Sequence, residues 1–261
     1  MGVKGFEPRR AGSGVELDDE ALFERHRERD LVALGEAGHG ARDLVLVPIQ
    51  VGGRLGRDLE RLAHSVAADP CVGPGLHSKL VGVRHIAQSE PDDRFLMRPA
   101  FLAGVAQLEE FGLAYDILVY SRHLPVAAEL AARLPRQRFV LDHLAKTNIR
   151  GREREGWERD LFTLAAQPNV WAKLSGLVTE ADWTGWAPDD IHPYLDVAFE
   201  SFGPERLMIG SDWPVCTVAG DYARTMAVVS DYLDTRPAHE RDAVLGGNAV
   251  RFWNLQVSSH A

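Results

Sequence analysis

Cysteine is nearly absent from this chain. Cys71 and Cys216 are the only two in 261 residues, and they form no CxxC pair. Two such thiols exclude a disulfide framework and a cysteine-ligated zinc site, and they suit a reducing cytoplasm. Long apolar runs are missing as well: none approaches the roughly 20 residues of a membrane span. The start of the chain lacks a basic segment followed by an apolar core, so no secretory signal is expected. Positive charge is not in excess. Against 38 Asp plus Glu stand 29 Lys plus Arg, a net charge of −9, which argues against nucleic acid or an acidic membrane as partner. No GxGxxG or Walker-type loop follows any apolar run, and no G-x-S-x-G marks a serine nucleophile. Aromatic residues are scarce early: of 10 Phe, 6 Trp and 5 Tyr, only Phe6 and Phe23 precede Phe95.

What is present reads as an α/β protein. A hydrophobic content of 45% with 26% charged residues is ordinary for a globular chain. Short apolar runs at 44–47, 80–83, 114–119, 139–141, 170–174 and 207–209 suggest strands. Amphipathic stretches at 126–134, 157–166 and 193–202 suggest the helices between them. This alternation predicts βαβ units and a parallel sheet covered on both faces. A doubly wound sheet lacks its phosphate-binding loop here, so a (β/α)8 TIM-type barrel, which needs about 250 residues, fits better. Residues 1–78 are set apart as an atypical or incomplete opening, with helices expected at 18–34 and 57–67. Residues 79–261 are expected to form the barrel domain, with no internal repeat or linker.

Polar groups gather where the predicted strands end. Arg84 and His85 follow the run at 80–83, and Tyr120 follows 114–119. Asp142 and His143 follow 139–141, with Lys146 beyond. Lys173, Ser175 and Gly176 lie at the end of 170–174, and Asp212 follows 207–209 through Gly210 and Ser211. Taken alone, Asp212 also reads as a helix cap, and a single His or Lys as a solvated bystander. In a barrel, however, these ends converge on one mouth, where such groups bind anions, polarise carbonyls or move protons.

Six ordered segments carry a resemblance. They are Lys79-Leu-Val-Gly-Val-Arg-His85, Phe139-Val-Leu-Asp-His-Leu-Ala-Lys146, Lys173-Leu-Ser-Gly176, Val178-Thr-Glu-Ala-Asp-Trp183, Arg206-Leu-Met-Ile-Gly-Ser-Asp-Trp-Pro-Val-Cys216 and Gly246-Gly-Asn-Ala249 with Arg251-Phe252. Together they resemble the amidohydrolase-related (amidohydrolase 2) family, and within it the sugar-lactone hydrolases such as L-fuconolactonases and L-rhamnonolactonases. The resemblance implies a distorted TIM barrel and a small-molecule lactone substrate. It implies that Asp212 activates the hydrolytic water and that His143 polarises the lactone carbonyl. It also implies either one divalent metal ion such as zinc, with His143 and Asp212 among its ligands, or none. Arg84 and His85 are assigned to substrate or carbonyl contacts. Tyr120 and Lys173 are candidates for substrate hydroxyl or carboxylate contacts, and Trp213 for a wall of the pocket.

One departure stands out. The family opens on a strand ending in His-x-His, and no His-x-His occurs in this sequence. Two rival readings therefore stay open beside lactone hydrolysis. One is a metal-dependent decarboxylase of the same superfamily, and the other is a barrel whose turnover is impaired by the missing imidazole pair.

Overall fold

A computed structural model of the chain describes Ile49–Gln50 and residues 81–255. By internal contacts the chain divides into units of residues 1–45 and 46–261, and every described residue belongs to the second. The expected strand at 44–47 and helices at 18–34 and 57–67 lie outside the described residues.

Six strands are described: β1 (Ile49–Gln50), β2 (Gly82–Ile86), β3 (Ala114–Leu118), β4 (Phe139–Leu141), β5 (Val170–Leu174) and β6 (Leu207–Ile209). They form one sheet in sequential order, every neighbouring pair parallel. β1 falls within the residues that the sequence sets apart as an atypical opening. Helices α1 (Pro99–Gln107), α2 (Leu124–Arg133), α3 (Glu155–Ala165), α4 (Pro188–Phe202) and α5 (Tyr222–Asp234) follow β2 to β6 in turn. Two short helices, α6 (Ala238–Asp242) and α7 (Asn248–Trp253), come last. Strand–helix alternation with sequential parallel pairing is the arrangement of a TIM-type barrel.

Local chemistry sets the helix boundaries. Proline occupies one of the first two positions of α1, α2 and α4, where its missing N–H is no loss. Asp221 caps α5, its Oδ1 accepting from the Arg224 N–H at 2.8 Å. The sequence reading starts α4 at Pro193, yet the helix begins at Pro188 and carries Pro193 inside it. Pro188 pre-sets the first turn, and Asp189 and Asp190 favour its positive end.

The sheet has two distinct faces. On one, Val83, Tyr115, Ile117, Phe139, Leu141, Val170, Ala172 and Leu174 join the main core with Leu130 of α2, Leu161 of α3, Leu195 of α4 and Leu233 of α5. Fully burying one such leucine contributes about 1.5–3 kcal/mol. On the other face Ala114, Val140 and Met208 pack with Phe252, Trp171 and Trp253. The Trp171 and Phe252 rings stand 5.3 Å apart. The Arg138 guanidinium, just before β4, donates to the Phe252 carbonyl. α7 thus covers the N-terminal ends of the strands and leaves their C-terminal ends for the site.

Candidate active site

The first correction concerns β2. The sequence places Arg84 and His85 beyond the strand, but the ladder with β3 runs from Gly82↔Ala114 to Ile86↔Leu118. Both residues therefore lie inside the strand, where successive side chains point to opposite faces. His85 faces outward, its ring 5.0 Å from Phe95 and 6.2 Å from Phe101, with Nε2 2.7 Å from Glu90 Oε1. The expected convergence of His85 with His143 and Asp212 does not occur. Arg84 faces the other way, pairing through Nη1 with Asp142 Oδ2 at 3.3 Å.

Arg84 belongs to a four-membered charge network. Lys173 of β5 places Nζ 2.5 Å from Asp116 Oδ2 and 2.7 Å from Asp142 Oδ1. Two cations thus face two carboxylates, and the network is neutral as a whole. Asp116 and Asp142 are fully buried. Burial pushes the Asp116 carboxyl up, to about 6, against the pull of Lys173. At Asp142 burial acts the same way, but Lys173, His143 and Arg84 outweigh it and hold that carboxyl below its ordinary range. Burial alone would lower Lys173 and Arg84, yet the two carboxylates raise both. The sequence assigns Asp116 no role and names Asp142 only as one of the polar groups that follow the run at 139–141. A signal existed: an Asp within the apolar run Ala114–Leu118 is a buried charge that requires a partner, and Lys173 holds a comparable place in β5.

His143, Asp212 and Ser175 meet beyond the ends of β4, β6 and β5. His143 Nε2 lies 3.4 Å from Asp212 Oδ1, and Nδ1 lies 2.9 Å from Ser175 Oγ. Burial holds the His143 imidazole below its ordinary range, against the opposing pull of Asp212 and Asp142. The ring is therefore neutral at neutral pH. With Nε2–H turned to the carboxylate, Nδ1 accepts from the Ser175 hydroxyl. Asp212 Oδ2 is buried and has no hydrogen-bond partner among the described residues. Gly176 makes room for this arrangement. Its φ is +63°, and a Cβ there would fall 2.8 Å from the His143 ring.

Three sequence candidates remain: Tyr120, Trp213 and Lys173. Tyr120 follows β3, its ring 6.4 Å from that of His123 and 5.0 Å from the Arg122 guanidinium carbon. Trp213 adjoins Asp212 and is 65% exposed, so it is not a core residue. Lys173 also stands 5.6 Å from the Trp253 ring.

For a resident metal the donor set is short. A catalytic zinc site is held by three protein ligands, and His143 with Asp212 supplies two. Among the described residues no three His, Cys, Asp or Glu side chains stand together as a metal site. The described residues therefore do not by themselves fit a metal ion.

A parallel α/β barrel with a carboxylate and an imidazole meeting at its strand ends defines a class of enzymes that work on small molecules at that face. The amidohydrolase family model matches residues 72–255, and the chain belongs to that family. It is 42% identical over 195 residues to an L-fucono-1,5-lactonase of Burkholderia multivorans, covering 70% of this chain and 66% of that protein. An L-fucono-1,5-lactonase of Burkholderia ambifaria is 38% identical over 201 residues, covering 75% and 66%. The chain thus spans just under two-thirds of the length of these relatives. Among solved structures, a zinc-bound amidohydrolase from Burkholderia multivorans superposes with a TM-score of 0.70 at 37% identity, covering 91% of this chain and 78% of that one.

Proposed function

We propose that this protein hydrolyses a sugar-acid lactone, with Asp212 as general base. The observation that carries the reading is the buried Asp212 Oδ2, without a hydrogen-bond partner among the described residues, beside His143 at the strand ends. The named L-fucono-1,5-lactonases supply the substrate class.

In this reading a water bound at Asp212 Oδ2 attacks the lactone carbonyl carbon and gives its proton to the carboxylate. His143, neutral and donating through Nε2–H, stabilises the oxyanion that forms. Collapse of the tetrahedral species breaks the bond to the ring oxygen, which takes the proton back from Asp212 as the alkoxide leaves. One water is consumed and one hydroxy acid is released. Arg84, which uses one of its five N–H donors on Asp142, faces the same interior and meets the carboxylate product. Exposed Trp213 offers a flat apolar wall for the sugar ring. Tyr120 and Lys173 remain candidates for substrate hydroxyl or carboxylate contacts. The scarcity of cysteine supports a reducing compartment such as the cytoplasm.

Acid release from L-fucono-1,5-lactone, followed with a pH indicator, tests the reading. The chain should turn the lactone over, and Asp212→Asn should lose about 100-fold or more in kcat with an unchanged circular dichroism spectrum. Wild-type turnover by Asp212→Asn would overturn the mechanism. A chain that hydrolyses no lactone at all would favour the impaired barrel, and release of carbon dioxide from an aromatic acid the decarboxylase.

A further inference from the structure

Four consecutive residues after β4 adopt left-handed backbone angles: His143 (φ 53°), Leu144 (46°), Ala145 (60°) and Lys146 (47°). None is glycine. For L-residues this conformation costs about 1–2 kcal/mol each, and such segments persist only where surrounding contacts over-determine them. The turn is what carries the imidazole to Asp212. An ordinary right-handed or extended continuation from Leu141 would aim position 143 elsewhere.

Specific contacts hold the turn. At its start Asp142 is gripped by Lys173 and Arg84, at 2.7 and 3.3 Å. In its middle the Leu144 carbonyl accepts a hydrogen bond of 2.8 Å from Nε1 of Trp157, a buried residue of α3. At its end the Lys146 N–H closes back on the His143 carbonyl at 2.9 Å. Leu144 is fully buried, so without Trp157 its carbonyl would lose the partner that a buried polar group requires. The indole also packs on Tyr194 of α4, ring centres 5.3 Å apart, which fixes the direction of its N–H.

We infer that Trp157 is a positioning residue for His143: its indole N–H pins the left-handed turn that presents the imidazole to Asp212. Trp157 makes no hydrogen bond, ion pair or ring contact with either partner of the pair among the described residues, and it acts through the backbone of Leu144. The inference rests on the lactonase reading for its kinetic consequence, but not for its structural one.

The test removes the donor. Trp157→Phe, and separately a shape-matched benzothienylalanine at position 157, remove the N–H, and the analogue serves if Trp157→Phe does not fold. Both should lower kcat for the lactone by about 10- to 100-fold with KM within twofold, as expected for a misplaced catalytic group. The His143 ring 15N–1H signals, identified by their loss in His143→Gln, should shift in both variants. A merely structural tryptophan would lower the melting temperature and move neither readout. Unchanged kcat with unchanged His143 signals in a folded variant would overturn the inference. If the unsubstituted chain hydrolyses no lactone, the lactonase reading falls, and the His143 signals alone decide: a shift supports the positioning role and no shift refutes it.

Discussion

Removing the Lys173 ammonium while keeping its length, in Lys173→Met, should destabilise the protein by an amount that grows with pH. In the folded chain Lys173 Nζ sits 2.5 Å from Asp116 and 2.7 Å from Asp142. Asp142 would keep Arg84 at 3.3 Å, so Asp116 becomes the orphan. Its carboxyl is already pushed up to about 6 with Lys173 in place, against an ordinary value of 3.8. A folded-state value above the unfolded one means that folding is favoured by protonation. That contribution is full below the unfolded value and is lost as pH rises through the folded one. In the variant Asp116 titrates higher still, so it stays protonated where the wild type has ionised. Each pH unit between about 6 and the variant's higher folded-state value then adds about 1.4 kcal/mol to the difference between the two proteins, which reaches roughly 3 kcal/mol by pH 8 when that value lies above 8. This agrees with the roughly 3–5 kcal/mol typical of breaking one side of a buried ion pair. For a chain of this size the corresponding fall in Tm is about 6–12 °C. Urea denaturation of both proteins at pH 6, 7 and 8 measures it directly. Curves whose separation does not change over that range, or a loss below about 1 kcal/mol at pH 8, would refute the assignment of Asp116 as the group that depends on Lys173.

Two further substitutions probe the faces of the site. Gly176→Ala should cost about 1–3 kcal/mol in stability and reduce lactone turnover, since the position needs φ of +63° and its Cβ would meet the His143 ring at 2.8 Å; chemical denaturation and kcat together check this, and an unaffected kcat would show that the ring does not depend on that space. His85→Leu should leave kcat/KM within about twofold while lowering stability by about 1 kcal/mol through the lost Glu90 bond, and a large loss of turnover would place His85 in the chemistry after all.

How much of this was legible beforehand varies from element to element. β4, β5 and β6 lie where the apolar runs 139–141, 170–174 and 207–209 put them. Strands covered on both faces are written as mostly hydrophobic residues, and that signal is local. β2 was misplaced because a run of apolar letters ends at Val83 while the ladder continues to Ile86. Hydrogen bonding to β3 extends a strand through Arg84 and His85, whatever their polarity. That shift alone separates two residues adjacent in sequence onto opposite faces, because side chains alternate along a strand.

The sequence by itself determined the family, the alternation that makes a parallel barrel, and the identity of His143 and Asp212 as the pair at the strand ends. These follow from short-range pattern and from motif order. Tertiary structure decided the rest. It joined Asp116, Asp142, Lys173 and Arg84, through pairs up to 58 positions apart, into one neutral network. It turned His85 away and gave Trp157 a hydrogen bond under the turn that bears His143. Buried charges and buried carbonyls must find partners, but only the pairing of the strands and the packing of the helices determine which distant residues those partners are.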